Sequence, residues 1–96
     1  MTVTALLVAK GGQLLPIKGT LHITLGLYWV GVKTAQGYTA IDRGSGYIIC
    51  QKKTRPECEA FIAENAKRIA EIQETKSYRA QMLKVEAALS KYKGGA

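Results

Sequence analysis

Lys52-Lys53-Thr54-Arg55-Pro56-Glu57 is the stretch on which the fold turns. Thr54 with Glu57 three positions on is the pattern of a capping box. The threonine hydroxyl accepts the third helical amide, and the glutamate reaches back to the amide of the cap. Pro56 falls in the first turn, where its missing donor would have had no partner in any case. Glu57 and Glu59 oppose the positive end of the helix dipole. A helix is therefore expected to begin at Thr54, and the chain before it reads differently.

Upstream the signals are those of strands. Thr2 to Val8 is β-branched and aliphatic and ends at the turn signal Lys10-Gly11-Gly12. Pro16 has no amide to donate, which places Leu14-Leu15-Pro16 on a sheet edge or in a connection. From Thr20 to Leu25 the sequence alternates, with Leu21, Ile23 and Leu25 on one face and Thr20, His22 and Thr24 on the other, as in a half-buried antiparallel strand. Gly26 interrupts this as a bulge or sharp bend, and Leu27 to Val32 resumes it around Trp29. Thr34-Ala35-Gln36-Gly37 then reads as a hairpin loop into Tyr38 to Asp42, and Arg43-Gly44-Ser45-Gly46 as another into Tyr47 to Gln51. Loops this short join antiparallel neighbours only.

Downstream, Cys58, Ile62, Ala66, Ile69 and Ile72, with Phe61 beside them, share one helical face. A second stripe, Tyr78, Met82, Val85, Leu89 and Tyr92, is out of phase with the first, whose continuation would draw Lys76 and Arg79 into the apolar seam. One unbroken helix from Arg55 to Tyr92 would be about 57 Å long, more than a sheet of ~50 residues covers. The pattern favours a break near Thr75-Lys76-Ser77, with Ser77 capping a second helix that folds back. The alternative is a continuous helix that pairs its far end with another molecule. Lys93-Gly94-Gly95-Ala96 reads as a frayed tail. The expectation is one α+β domain over residues 1–96: an antiparallel sheet of four or five strands in residues 1–53, then a long broken helix or helix pair in residues 54–92.

The net charge of +7 is unevenly spread. Residues 1–53 hold six cations (Lys10, Lys18, Lys33, Arg43, Lys52, Lys53) against Asp42 alone, residues 54–75 lean acidic, and the remainder is basic again. This balance suits contact with a polyanion or an acidic protein face. The apolar Thr2 to Ala9 is too short to cross a bilayer and lacks the flanks of a leader, so a cytoplasmic protein without a membrane partner is expected. Two cysteines, Cys50 and Cys58, do not make a secreted scaffold and are expected as free, buried thiols.

Catalytic chemistry finds no constellation. His22, the single histidine, is expected to face solvent among threonines, without a nucleophile or carboxylate in a recognisable pattern. The two thiols and one histidine are too few ligands for structural zinc. Gly44-Ser45-Gly46 lies between predicted strands and is explained as a turn. No catalytic residue, metal or cofactor is expected. The strongest candidate site is the cluster Lys52, Lys53 and Arg55 at a helix start, where free amides and the dipole favour an anion, although the capping glutamate competes for that position. Arg43 and Lys33 join it as candidate contacts for an anion or acidic partner, and Arg79, Lys84 and Lys91 flank the second stripe as a candidate partner-facing set. Tyr28, Trp29, Tyr38 and Tyr47 are the aromatics that could stack on bases, with Trp29 assigned to the core.

Gly37-Tyr38 through Asp42, then Ser45-Gly46-Tyr47, then Lys53-Thr54-Arg55 with Glu57, Glu59 and Phe61, resembles the hairpin-then-helix pattern of small phage and mobile-element proteins, among them the anti-CRISPR inhibitors of host defence. The resemblance covers about a quarter of the chain and is one of type. It implies a non-enzymatic binder, acting in the host cytoplasm, that blocks a protein or protein and nucleic-acid complex. The basic balance departs from acidic DNA mimics. The alternatives are a DNA- or RNA-binding accessory protein and a structural homodimer held by the C-terminal helix; monomer and homodimer both stay open.

Overall fold

The computed structural model describes the backbone of residues 1–94 and the side chains of residues 1–91. Along the chain run β1 (Thr2–Val8), a 3-10 turn at Lys10–Gly12, β2 (Leu14–Thr24), β3 (Leu27–Thr34), β4 (Gly37–Asp42) and β5 (Ile48–Lys52). Three helices follow, α1 (Arg55–Glu64), α2 (Ala66–Gln73) and α3 (Lys76–Gly94). The sheet is a five-stranded antiparallel meander in chain order, so the α+β architecture read from the sequence is the one observed.

Antiparallel partners share a face, and so do alternate residues on one strand. His22 is opposite Trp29, Trp29 opposite Asp42, Gly31 opposite Ala40 and Ala40 opposite Cys50, which puts all of them on the side of the sheet that α1 covers. Trp29, Ala40 and Cys50 pack there against Cys58 and Ile62 of α1, with Leu27, Tyr38, Ile49, Phe61 and Ile69 around them. The sequence-derived expectation for β2 is thereby inverted. His22 and Thr24 turn toward the helix, while Ile23 and Leu25 are 59 % and 72 % exposed. The cause is hydrogen bonding: Trp29 Nε1 donates to Thr24 Oγ1 at 3.0 Å, so the indole is buried only where a hydroxyl meets it. β2 is also longer than the alternation indicated. Its first half pairs with β1 alone, which is where Pro16 is tolerated as an edge residue.

β3 and β4 are buried on both faces, since the consecutive residues Trp29 and Val30, and again Ala40 and Ile41, have no exposure. The sheet curls to achieve this: Val8 N donates to Gly46 O at 2.9 Å, drawing the end of β1 onto the β4–β5 turn, and α3 lies against β1. Gly46 allows the approach. Its φ is +81°, and a Cβ there would collide with the carbonyl oxygen of Leu6. The Leu25-Gly26 pair, with φ of 48° and 80°, makes the two-residue turn between β2 and β3, so the interruption at Gly26 is a hairpin.

Thr54 caps α1, its hydroxyl oxygen accepting from Glu57 N at 3.4 Å. The return arm differs from the expected box, because the Thr54 hydroxyl itself donates to Glu57 Oε1 at 3.2 Å. The helical half breaks twice. Asn65 leaves helical geometry between α1 and α2, with its side-chain amide donating to Phe61 O at 2.9 Å. The second break is the one expected, but Thr75 caps α3 in place of Ser77, its oxygen accepting from Tyr78 N at 3.2 Å. The chain does fold back. Val85 is buried, and Tyr78, Met82 and Leu89 are half-buried, so the second stripe is core material within one chain. α3 runs through Lys93 and Gly94, further than the frayed tail allowed; the Tyr92 side chain, Gly95 and Ala96 lie outside the described residues.

Candidate functional site

Lys33 is opposite Tyr38 and Tyr38 opposite Lys52, so the two lysines flank one tyrosine in a row across β3, β4 and β5. Lys53 follows directly, and the start of α1 stands beside it. Lys18, two residues before Thr20 on the same face of β2, extends the cationic end and escapes a reading based on sequence clusters, since only strand pairing brings it near. A groove of about 780 Å³ opens here, lined by Thr34, Gln36, Tyr38, Lys52, Lys53 and Glu57.

The cations differ in availability. Arg55 Nε pairs with Glu59 Oε1 at 3.2 Å, the one ion pair among the described residues, and both side chains are exposed enough that water screens most of its worth. Lys52 Nζ sits 5.0 Å from the centroid of the Phe61 ring, a cation–π contact that steadies the stem of the side chain without neutralising it. Lys33 and Lys53 are exposed and among the described residues carry no ion pair. The first turn of α1 is already served by Thr54 and Glu57. Arg43 lies at the opposite end of β4, so the structure separates it from Lys33, Lys52, Lys53 and Arg55. Arg79, Lys84 and Lys91 are exposed along α3 and belong to neither group.

Beneath the row is a polar and aromatic cluster. The Tyr38 ring lies across Gly31, where no Cβ could stand, and its hydroxyl is 3.0 Å from His22 Nε2. His22 stacks on Trp29 with ring centroids 4.5 Å apart, so the histidine expected in solvent is half-buried. Burial, followed by the nearby Arg55 guanidinium, holds it below its ordinary value. Burial also raises the Tyr38 phenol. Trp29 is core, as expected, while Tyr28 and Tyr47 keep 52 % and 54 % of their surfaces exposed.

No family model, curated protein or solved structure matches this chain. Function therefore has to be argued from its own residues.

One further feature, a buried hydrogen-bonded carboxylate, was not anticipated from the sequence, whereas the two cysteines are in the state expected of them. Asp42, 6 % exposed, accepts from Ser45 N at 2.9 Å and Ser45 Oγ at 2.6 Å on one oxygen and from Gln73 Nε2 at 3.2 Å on the other. The Asp-x-x-Ser spacing was a legible sign of the first two bonds; the third depends on tertiary packing. Burial and then the Asp42 carboxylate raise the phenol of Tyr78 beside it. Cys50 and Cys58 are free and buried, and burial, reinforced by the neighbouring Cys58, pushes the Cys50 thiol up to about 12. Such thiols are poor nucleophiles. Among the described residues no group of three or more His, Cys, Asp or Glu side chains is placed to hold a metal ion. No described helix is long and apolar enough to cross a membrane.

Proposed function

We propose that this protein is a small, basic, non-enzymatic binding protein that docks on a nucleoprotein complex through the cationic end of its sheet. The observation that carries the reading is the meeting of Lys33 with Lys52 and Lys53 at one end of the sheet, from two separate places in the sequence, beside a polar groove that Lys52 and Lys53 line; among the described residues none of the three is in an ion pair. Charges gathered by the fold around a concavity favour an acidic surface more than general solubility does. In its concrete form, taken from the resemblance of the hairpin-then-helix segment, the protein is a phage-encoded inhibitor of CRISPR defence working in the host cytoplasm. The second stripe of α3 is occupied within the chain, which gives the homodimer reading no separate support.

The test is inhibition of cleavage by a reconstituted guide-RNA-loaded effector, comparing the natural protein with the Lys33→Glu, Lys52→Glu, Lys53→Glu triple variant. The natural protein is expected to block cleavage, and the variant to need about tenfold more protein at the same circular-dichroism signature. Equal potency of the two would reject the site. Binding to free duplex or single strands, with a log–log salt slope of about −2.7 for three phosphate contacts, would replace this function with direct nucleic-acid binding.

A further inference from the structure

A second concavity, of about 540 Å³, lies between the β4–β5 region and all three helices. Ile48, Ile49, Phe61, Ile69 and Ile72 supply its walls. A β-bulge helps to build it. Ala40 pairs with Cys50 but Ile41 pairs with Ile48, so Ile49 is an extra residue on β5 and both isoleucines reach the same opening. At its mouth Tyr47, Ile48 and Ile72 keep 54 %, 45 % and 50 % of their surfaces exposed, an apolar rim concentrated at one opening.

Among the described residues two charged side chains line this groove, Asp42 and Arg68. Asp42 is buried, with both oxygens already accepting hydrogen bonds, so it asks nothing of a ligand. Arg68 is exposed and among the described residues has no ion pair, although Glu71 stands one turn on in α2 and Glu64 precedes it across the break at Asn65. Among the described residues the groove thus offers apolar walls and a single guanidinium without an ion pair, whose planar fork of donors suits a carboxylate. Its volume is in the range of small-molecule sites. A second copy of the chain fits poorly, because a two-fold contact through the groove would bring two Arg68 side chains into one apolar interface.

We infer that this groove binds a free medium-chain fatty acid, with the alkyl chain along the isoleucines and the carboxylate on Arg68. The probe is decanoate, titrated calorimetrically below its aggregation concentration, with decanol and decyltrimethylammonium as neutral and cationic counterparts and amide chemical shifts to locate the site. Decanoate is expected to bind more tightly than either counterpart and to shift Ile48 and Ile72. Arg68→Gln should weaken decanoate about tenfold and leave decanol unchanged, while Ile72→Glu, at a half-exposed position that the fold tolerates, should weaken both. The inference is overturned if decanoate does not bind, if the three probes bind equally, if Arg68→Gln has no effect, or if the shifts gather at the exposed Ile23, Leu25 and Tyr28 instead. Self-association that blocks the groove to decanoate would overturn it equally.

Discussion

Replacing Asp42 by alanine removes a buried carboxylate that joins the β4–β5 turn to α2, leaving the bond from Gln81 Nε2 of α3 to Ser45 O in place. The carboxylate takes two bonds from Ser45, which is 2 % exposed, and one from half-buried Gln73. Gln73 can turn to water, so its loss counts little. The two Ser45 donors cannot, and a buried donor left without an acceptor costs roughly 1 to 3 kcal/mol. Allowing the serine hydroxyl to rotate to another acceptor, the expected destabilisation is about 3 kcal/mol, a large share of the roughly 5 to 15 kcal/mol that holds a domain folded. For a chain this short that corresponds to a fall in Tm of about 12 to 24 °C. Asp42→Asn keeps one carbonyl oxygen for Ser45 and exchanges charged for neutral hydrogen bonds, so about 1 to 2 kcal/mol is expected. Urea unfolding followed through the fluorescence of buried Trp29 measures both. An alanine variant within about 0.5 kcal/mol of the natural protein would refute the role given to Asp42, as would an asparagine variant no better than alanine.

Acid should weaken the fold through His22. Its folded value lies below the unfolded 6.5, so the native state binds fewer protons; stability is intact above pH 6.5, falls as the pH drops through that value and levels off below the folded one. Urea midpoints at neutral and mildly acid pH should therefore differ more for the natural protein than for His22→Gln. Leu25→Gly should stabilise. A left-handed leucine costs roughly 1 to 2 kcal/mol and glycine adds about 0.5 to 1 of unfolded-state entropy, leaving a gain of about 0.5 to 1 kcal/mol because the side chain is mostly exposed; the same denaturant titration reads it.

Local chemistry made the helix start, the turns and the break near Thr75 legible, because each depends on residues within one turn of each other. Thr54, Pro56 and Glu57 announce α1 without reference to the rest of the chain. The orientation of β2 was not legible in the same way. Alternation gives two faces but does not say which one the helix covers, and here hydrogen bonds with Trp29 and Tyr38 hold Thr24 and His22 inward against their hydropathy. The break at Asn65 is carried by one side-chain amide bonding the preceding turn, within a stripe that continues across it. Of the proposed cationic site, Lys52, Lys53 and Arg55 were adjacent in sequence and easily found, whereas the place of Lys18 and the distance of Arg43 are set by strand register. The apolar groove depends on a bulge between Ile48 and Cys50, a feature with no glycine or proline to mark it.

The bond from Val8 to Gly46 has a consequence beyond the curvature of the sheet. Thr2 to Val8 is uncharged, free of proline and rich in β-formers, the composition of a segment prone to stack into fibrils when its edge is bare. It is also the first strand of the meander, with a partner on one side only. Gly46 seals the end of that open side, and a bulkier residue there would lift the turn off Leu6 and leave the strand exposed as a template for other chains. A single glycine in the middle of the sequence thus lets a turn cover one end of the open edge at the beginning of the chain.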